Sequence, residues 1–421
     1  MKKILFILYT CCILLFPVSA QQIPSFKAND RIVFLGNSIT EGGHYHSYIW
    51  LYYMTHFPEL PLRIYNGGIG GDCASHMVFR FDSDIKIKKP TYLVCSFGMN
   101  DSGYDGYNKP GYDKYANKQV EYANTEFGKL QQQILADKKI KNVVLLGSSP
   151  YDENVKLEGV ETLHGKNETI KRIIEMQAEV AQKRGWGFVN FNTVMCELNK
   201  EIQQSDSTAT FCGGDRIHPD KDGHMVMAYL FLKAQGLAGK EVAYFHINAT
   251  NRKAMEERNC RITHIKNEND TISFSYLSRS LPFPVDTIPR WGTKGTARDA
   301  VRQVPFMQEM NQEIMKVTDL HGNFRVTIDG TEIGRWDGNE LSKGINLAEI
   351  TCTPQYQQSL SIMYLNEERC AIEKRLRQYM AMQYVFFKHR GLLFADNKAA
   401  LDAAKAERES HYLVKYLYTN Y

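Results

Sequence analysis

At 421 residues the chain has room for two domains of the usual size, about 100–200 residues each. With 43% hydrophobic and 23% charged residues it has the make-up of a soluble globular protein, not of a disordered or fibrous one. The formal net charge of +4 falls to 4 − 2 = +2 once Lys2 and Lys3 are set aside with the N-terminal segment, and no Lys/Arg cluster stands out, so nucleic acid is excluded as the expected partner.

Residues 1–20 read as a secretory signal: Lys2-Lys3, then apolar Ile4 to Val18, then Val18-Ser19-Ala20 as a small-residue cleavage site before Gln21. The apolar core is shorter than the ~20 residues a spanning helix needs, and no later window approaches one. Cys11 and Cys12 sit inside that core, the wrong place for a lipid-anchored cysteine. A secreted or periplasmic mature protein is expected. It keeps seven cysteines, Cys73, Cys95, Cys196, Cys212, Cys260, Cys352 and Cys370, scattered without CxxC spacing. That pattern suits small buried hydrophobes with at most one bridge, for which Cys196 and Cys212 are the nearest candidates.

From 31 to about 238, apolar runs alternate with helical patterns. Strands are predicted at Arg31–Leu35, Leu62–Tyr65, Tyr92–Phe97, Asn142–Leu146 and Gly187–Phe191, and helices at Tyr48–His56, Val120–Ala136, Glu168–Lys183 and Gly223–Leu237. Gly185 is the expected stop of the third helix. This alternation predicts a parallel α/β sheet with its ligand site at the carboxyl ends of the strands. After about 240 the texture becomes β-rich, with Val242–Ile247, Cys260–Ile265 and Thr271–Tyr276 as short runs. Asp329-Gly330 is the predicted turn of a hairpin spanning Phe324 to Ile333. Pro282, Pro284 and Pro289 mark an irregular stretch; Gln357 to about His389 and Asn397–Ser410 read as C-terminal helices. The expected organisation is a signal at 1–20, a catalytic domain at 21–240 and an accessory region at 241–421 that supplies no catalytic group.

Four short blocks carry chemistry: Gly36-Asn37-Ser38-Ile39-Thr40 at the end of the first strand, Asn66-Gly-Gly-Ile-Gly-Gly71-Asp72, Gly98-Met-Asn100-Asp101, and Asp215-Arg-Ile-His218. Ser38 is useful as a nucleophile only if a base takes its proton and the oxyanion is stabilised. His218 is the candidate base, with Asp215 three residues earlier to hold the other ring nitrogen. The Ser38 and Gly71 backbone N–H groups and the Asn100 side-chain amide are the candidate oxyanion donors, with Gly at 71 to allow close backbone approach. Each block alone has a plain reading as a helix cap, a flexible loop, a turn or an ion pair. All four in this order make those readings untenable together.

With these blocks the chain resembles the SGNH (GDSL-like) hydrolase family over residues 31 to 238. The resemblance implies a three-layer, flavodoxin-like α/β/α fold and ester hydrolysis without metal or organic cofactor. Ser38 matches the family nucleophile, Gly71 and Asn100 its oxyanion-hole residues, and His218 and Asp215 its base and orienting acid. Asn37 stands where the family pattern has Asp, a position that supports the turn.

Other residues keep two readings. His44 and His46 are candidate metal ligands, but lack a Cys or carboxylate at ligand spacing and read better as helix start or cleft lining. Tyr104, Tyr107, Tyr112 and Tyr115 either stack on sugar faces or pin a long loop; Trp291 and Trp336 are binding platforms or packing. The expected substrate is an acylated small molecule or glycan, with acetyl removal from carbohydrate as the leading reading. A lipase- or thioesterase-type hydrolase and a sugar O-acyltransferase follow. A carbohydrate-binding protein with a vestigial hydrolase half ranks below them.

Overall fold

The computed structural model describes residues 22–269, 271–289 and 295–419; residues 1–20, read above as a signal, and Trp291 lie outside them. The first half is built from β1 (Arg31–Gly36), α1 (Ser38–Gly42), α2 (His44–His56), β2 (Arg63–Gly68), α3 (Ala74–Arg80), β3 (Tyr92–Phe97), α4 (Tyr112–Ala136), β4 (Asn142–Gly147), α5 (Lys166–Arg184), β5 (Gly187–Asn190), α6 (Phe191–Ile202) and α7 (Lys221–Ala234). The five strands form one parallel sheet in the order β2-β1-β3-β4-β5. Strand order reverses at β1, so a crevice opens beyond the carboxyl ends of β1 and β3.

Side-chain alternation divides the core between the two faces of this sheet. Ile32 and Phe34 join Tyr45 and Ile49 of α2 and Met225 and Phe231 of α7. Val33 and Leu35 point the other way, onto Met77 of α3 and Phe127 and Leu130 of α4. Each such fully buried large side chain contributes about 1.5–3 kcal/mol over exposure.

The second half holds β6 (Ala243–Asn248), β7 (Lys253–Arg258), β8 (Cys260–Glu268), β9 (Thr271–Ser278), α8 (Ala297–Ala300), α9 (Phe306–Met310), β10 (Glu313–Thr318), β11 (Asn323–Ile328), β12 (Thr331–Asp337), α10 (Gly338–Lys343), β13 (Ile345–Asn346), α11 (Pro354–Ala381), α12 (Lys398–Ala406) and α13 (Tyr412–Thr419). A four-stranded sheet, β13-β10-β6-β7, is joined by two hairpins, β8–β9 and β11–β12. Asp329 (φ 48) and Gly330 (φ 82) make the second hairpin's turn, as the Asp-Gly pair predicts. Phe245, Ile247, Met315 and Val317 give this region a core of its own. Phe283, Phe306, Met310 and Met363 instead pack into the same apolar cluster as α2 and α7, so burial runs across the expected boundary near 240.

α5 stops at Gly185 (φ 66). α4 begins at Tyr112, earlier than expected, and α11 runs on through a π turn, Met382–Phe387. Among the described residues no helix is long and apolar enough to cross a membrane.

Candidate active site

Ser38 is the first residue of α1, where the chain turns out of β1. Asn37 caps that turn, its side chain accepting from the Ile39 N–H at 3.1 Å, so a carboxamide here does the capping that an Asp would also do. The turn fits only against glycine: a Cβ on Gly68 would stand 2.1 Å from the Glu41 nitrogen.

His218 reaches Ser38 from the loop before α7. Its Nε2 lies 2.8 Å from Ser38 Oγ and its Nδ1 lies 2.6 Å from Asp215 Oδ2. The other Asp215 oxygen accepts the backbone N–H groups of Ile217 and His218 at 3.0 and 2.9 Å, which locks the carboxylate under the ring. Burial alone would raise the Asp215 carboxyl, but the His218 hydrogen bond and charge with these amides bring it below its ordinary value. Between them Arg216 adopts a left-handed φ of 70°. Its buried guanidinium donates to the carbonyls of Asp152 at 3.1 Å and Val155 at 2.6 Å, anchoring the loop. The sequence reading passed over Arg216 because nothing in its spacing shows that anchor.

Gly71 and Asn100 follow β2 and β3, the strands flanking β1. Asn100 Nδ2 donates to the Asp72 carbonyl at 3.0 Å, beside Gly71, and Asn100 Oδ1 accepts from the Tyr104 hydroxyl at 2.8 Å. Asp101 ties the same two loops together by accepting from Ala74 N at 2.7 Å and Gly98 N at 2.8 Å. The glycine at 71 also has a backbone reason. A Cβ there would meet no protein atom within 4 Å, whereas φ is +79°, a conformation that favours glycine. Gly70 lies next to Ser38 and donates its N–H to Glu41 Oε2. Burial raises the Glu41 carboxyl, against that amide and the Arg377 charge.

The cleft at Ser38 has a volume of about 860 Å³. One wall comes from Ser38, Glu41, His44, Asp215, His218 and Asp220. The other comes from the C-terminal helices: Glu367, Cys370, Lys374 and Gln378 of α11 with Tyr416 of α13. The region read as accessory therefore forms part of the cleft.

Several secondary readings resolve into packing. His46 is fully buried, stacked on Phe34 with ring centroids 5.2 Å apart and pushed down to about 4 by burial, so it is a neutral core residue. His44 does line the cleft. Tyr107 packs against Tyr112 and Tyr115 and donates to the Ser102 carbonyl, pinning the loop. Trp336 packs in the β-region core, opposite Phe324. The candidate pair Cys196 and Cys212 is not bonded: Cys196 meets Asn167 and Asn192, Cys212 meets Asn199, and all seven cysteines among the described residues are free.

Residues 34–226 match the model of the GDSL-like Lipase/Acylhydrolase family, and residues 360–421 match that of the Diltiazem deacetylase C-terminal helical domain. A solved gut microbial diltiazem-metabolizing enzyme is 49% identical, covers 94% of this chain and 90% of its own, and superimposes with a TM-score of 0.92. An acetylxylan esterase from Geobacillus stearothermophilus is 22% identical over 224 residues, 50% of this chain and 95% of that protein. A crystal structure of an acetylxylan esterase from the same organism covers 50% of this chain and 95% of its own at 21% identity and a TM-score of 0.38. The chain thus belongs to the GDSL-like lipase/acylhydrolase (SGNH hydrolase) family and is a carboxylic ester hydrolase.

Proposed function

We propose that this esterase removes acetyl groups from hydroxylated substrates, carbohydrates foremost, through an acyl-enzyme on Ser38. The observation that carries this reading is the continuous chain Ser38 Oγ–His218 Nε2 at 2.8 Å and His218 Nδ1–Asp215 Oδ2 at 2.6 Å. His218 takes the Ser38 proton as Oγ attacks the ester carbonyl. Asp215 holds the ring in the tautomer that leaves Nε2 free to accept and favours the imidazolium that forms. The Ser38 and Gly71 N–H groups and Asn100 Nδ2 receive the oxyanion. His218 returns the proton to the departing alcohol, and water repeats the sequence in reverse to release the acid.

Acetyl as the acyl group is supported by the acetylxylan esterase relative and by the match of residues 360–421 to the Diltiazem deacetylase C-terminal helical domain. A hydroxyl-rich alcohol is supported by the polar groups of the cleft, Glu41, Asp220, Glu367, Lys374 and Gln378. The 49% identity to the diltiazem-metabolizing enzyme over nearly the whole chain favours a second reading, an acetylated heterocyclic alcohol. Export is supported by Lys2-Lys3, the apolar Ile4–Val18 and the Val18-Ser19-Ala20 site. The test is acid release from acetylated polysaccharides, acetylated heterocyclic alcohols and p-nitrophenyl esters of increasing chain length. Acetate esters are expected to be fastest, and a preference for long acyl chains would overturn the reading.

A further inference from the structure

β2 is the edge strand of the parallel sheet, and an edge leaves a row of N–H and C=O groups without a neighbour. Two of those groups are taken by side chains one turn apart on α11. Glu373 Oε1 accepts the Asn66 N–H at 2.7 Å, and Arg377 Nε donates to the Gly68 carbonyl at 2.9 Å. α11 thus stands in for a missing strand at the point where β2 runs into the Gly70-Gly71 turn.

Arg377 does more than cover the edge. It is 3% exposed, and its two terminal nitrogens donate to Asp84 at 2.8 and 2.7 Å. Asp84, fully buried, also accepts from Arg80 at 2.5 Å. Arg80 in turn donates to Asp72 Oδ2 at 2.7 Å and to the Gly67 carbonyl at 2.7 Å. The Asp72 carbonyl is the acceptor that orients Asn100. A line of short, charge-assisted bonds therefore runs from the C-terminal helix to the Asp72 side chain, whose residue follows Gly71 in the chain and whose carbonyl accepts from Asn100 Nδ2 at 3.0 Å. Burial alone would raise the Asp84 carboxyl, but Arg377, Arg80 and Lys88 hold it well below the usual range, so Asp84 stays ionised between the two guanidinium groups, while burial raises the Asp72 carboxyl against the Arg80 charge.

We infer that Glu373 and Arg377 are positioning residues for the oxyanion site, so that the C-terminal helix sets transition-state stabilisation on the sheet domain. The inference rests on the reading of Gly71 and Asn100 as oxyanion donors. The physical reason is stringency: donors must sit within hydrogen-bond reach of the position the oxyanion will occupy, and small misplacement is costly. Loosening the β2 edge leaves ester binding intact and weakens only what is felt in the transition state.

The test uses the full-length enzyme with p-nitrophenyl acetate and the variants Arg377→Met, Arg377→Lys, Asn100→Ala and Asn100→Ala/Arg377→Met. Arg80 and Lys88 remain on Asp84 in Arg377→Met, so the carboxylate keeps partners. Expected is a roughly tenfold to hundredfold loss of kcat in Arg377→Met with KM changed by less than about threefold, and a smaller loss in Arg377→Lys. The double variant should lose clearly less than the product of the single losses, because both act on one site. A merely structural clamp would give multiplicative losses. Near-wild-type kcat in a folded Arg377→Met, or multiplicative losses, overturns the inference while leaving the site reading intact. An unimpaired Asn100→Ala overturns the site reading, and the inference with it. If Arg377→Met does not fold, Arg377→Lys and its double with Asn100→Ala decide by the same criteria; collapse of both folds overturns the inference in favour of a stability role.

Discussion

The Tyr104 hydroxyl donates to Asn100 Oδ1 at 2.8 Å while Asn100 Nδ2 donates to the Asp72 carbonyl at 3.0 Å. The pair of bonds fixes which end of the amide faces which loop and leaves the second Nδ2 hydrogen for a ligand. Burial raises the Tyr104 phenol, so it remains a protonated donor. Lys166 stands 3.8 Å from the Tyr104 ring centroid and donates to the Met99 and Gly103 carbonyls at 2.9 and 2.6 Å, bracketing the loop that carries Asn100. Asn100→Ala is expected to lower kcat by about 10²–10³ with little change in KM. Tyr104→Phe removes one bond worth about 0.5–1.5 kcal/mol and should lower kcat roughly two- to tenfold. Steady-state kinetics on an activated acetate ester check both; losses confined to KM would make Asn100 a ground-state binding group.

Ser38→Ala should reduce turnover by roughly 10³–10⁶, the range seen when a triad nucleophile is removed. Ser38 heads a short helix capped by Asn37, and among the described residues its Oγ bonds only His218, so the variant should keep its fold. Circular dichroism and acid-quench mass spectrometry provide the check: an acetylated Ser38 peptide in the wild type, none in the variant. A folded variant with near-normal hydrolysis would exclude Ser38 as nucleophile.

On pH, only neutral His218 can accept the serine proton, so kcat/KM is expected to fall along a one-proton acid limb. Asp215 does not add a second proton there. Its folded carboxyl lies below its ordinary value, so its ionised form, and the stability linked to it, persists above the unfolded pKa of about 3.9 and is lost only as pH falls through the lower folded value. Asp215→Asn removes the group that selects the tautomer and should cost roughly 10²–10⁴ in kcat. A two-proton acid limb in the pH–rate profile, or a flat profile, contradicts this assignment.

Much of the sheet domain is legible in the sequence because its strands are continuous apolar runs, and the nucleophile and oxyanion candidates follow their ends, while the base lies on the loop before α7. α3 escaped notice because it is short, and α6 because it follows β5 with no loop between, so that its first residue reads as the end of the strand. β7 did so because it is exposed along most of its length and shows no alternation. The hydrogen bonds of Arg377 to Gly68 and Asp84 span about 300 positions. No local pattern betrays a contact of that kind; an arginine in a long helix reads as a solvated face until the edge strand beneath it is seen. The tyrosines after Asn100 were legible as a cluster but not individually, since Tyr104 and Tyr107 look alike in sequence and bond to different groups.

Cysteine chemistry offers an independent check on the fold. Among the described residues all seven thiols are free, and of these only Cys352 is exposed. Burial pushes Cys370 up to about 11 and raises Cys196, disfavouring the reactive thiolate. A thiol reagent on the native, mature enzyme should label Cys352 first, with the remainder reacting only after denaturation. Rapid protection of Cys196 and Cys212 that reductant reverses would indicate a bridge and contradict the described geometry.

Removal of everything after about residue 240 is expected to abolish activity on small and large esters alike, contrary to what a detached accessory module would predict. Phe283, Phe306 and Met310 are fully buried in the cluster that covers α2 and α7, so the cut uncovers apolar surface on the sheet domain. Burial of each such side chain is worth about 1.5–3 kcal/mol, and total stability of a domain is only about 5–15 kcal/mol. The cut also removes Glu373 and Arg377 from the β2 edge and one whole wall of the cleft. A milder variant separates recognition from folding: Lys374→Met alters one cleft-facing side chain and should raise KM for the preferred polar ester more than it lowers kcat. Circular dichroism, melting and kinetics on p-nitrophenyl acetate and on an acetylated glycan distinguish these effects. A soluble, cooperatively melting 21–240 fragment that turns over the small ester at the full-length rate would show that the sheet domain is self-sufficient and that the C-terminal contacts are dispensable for chemistry.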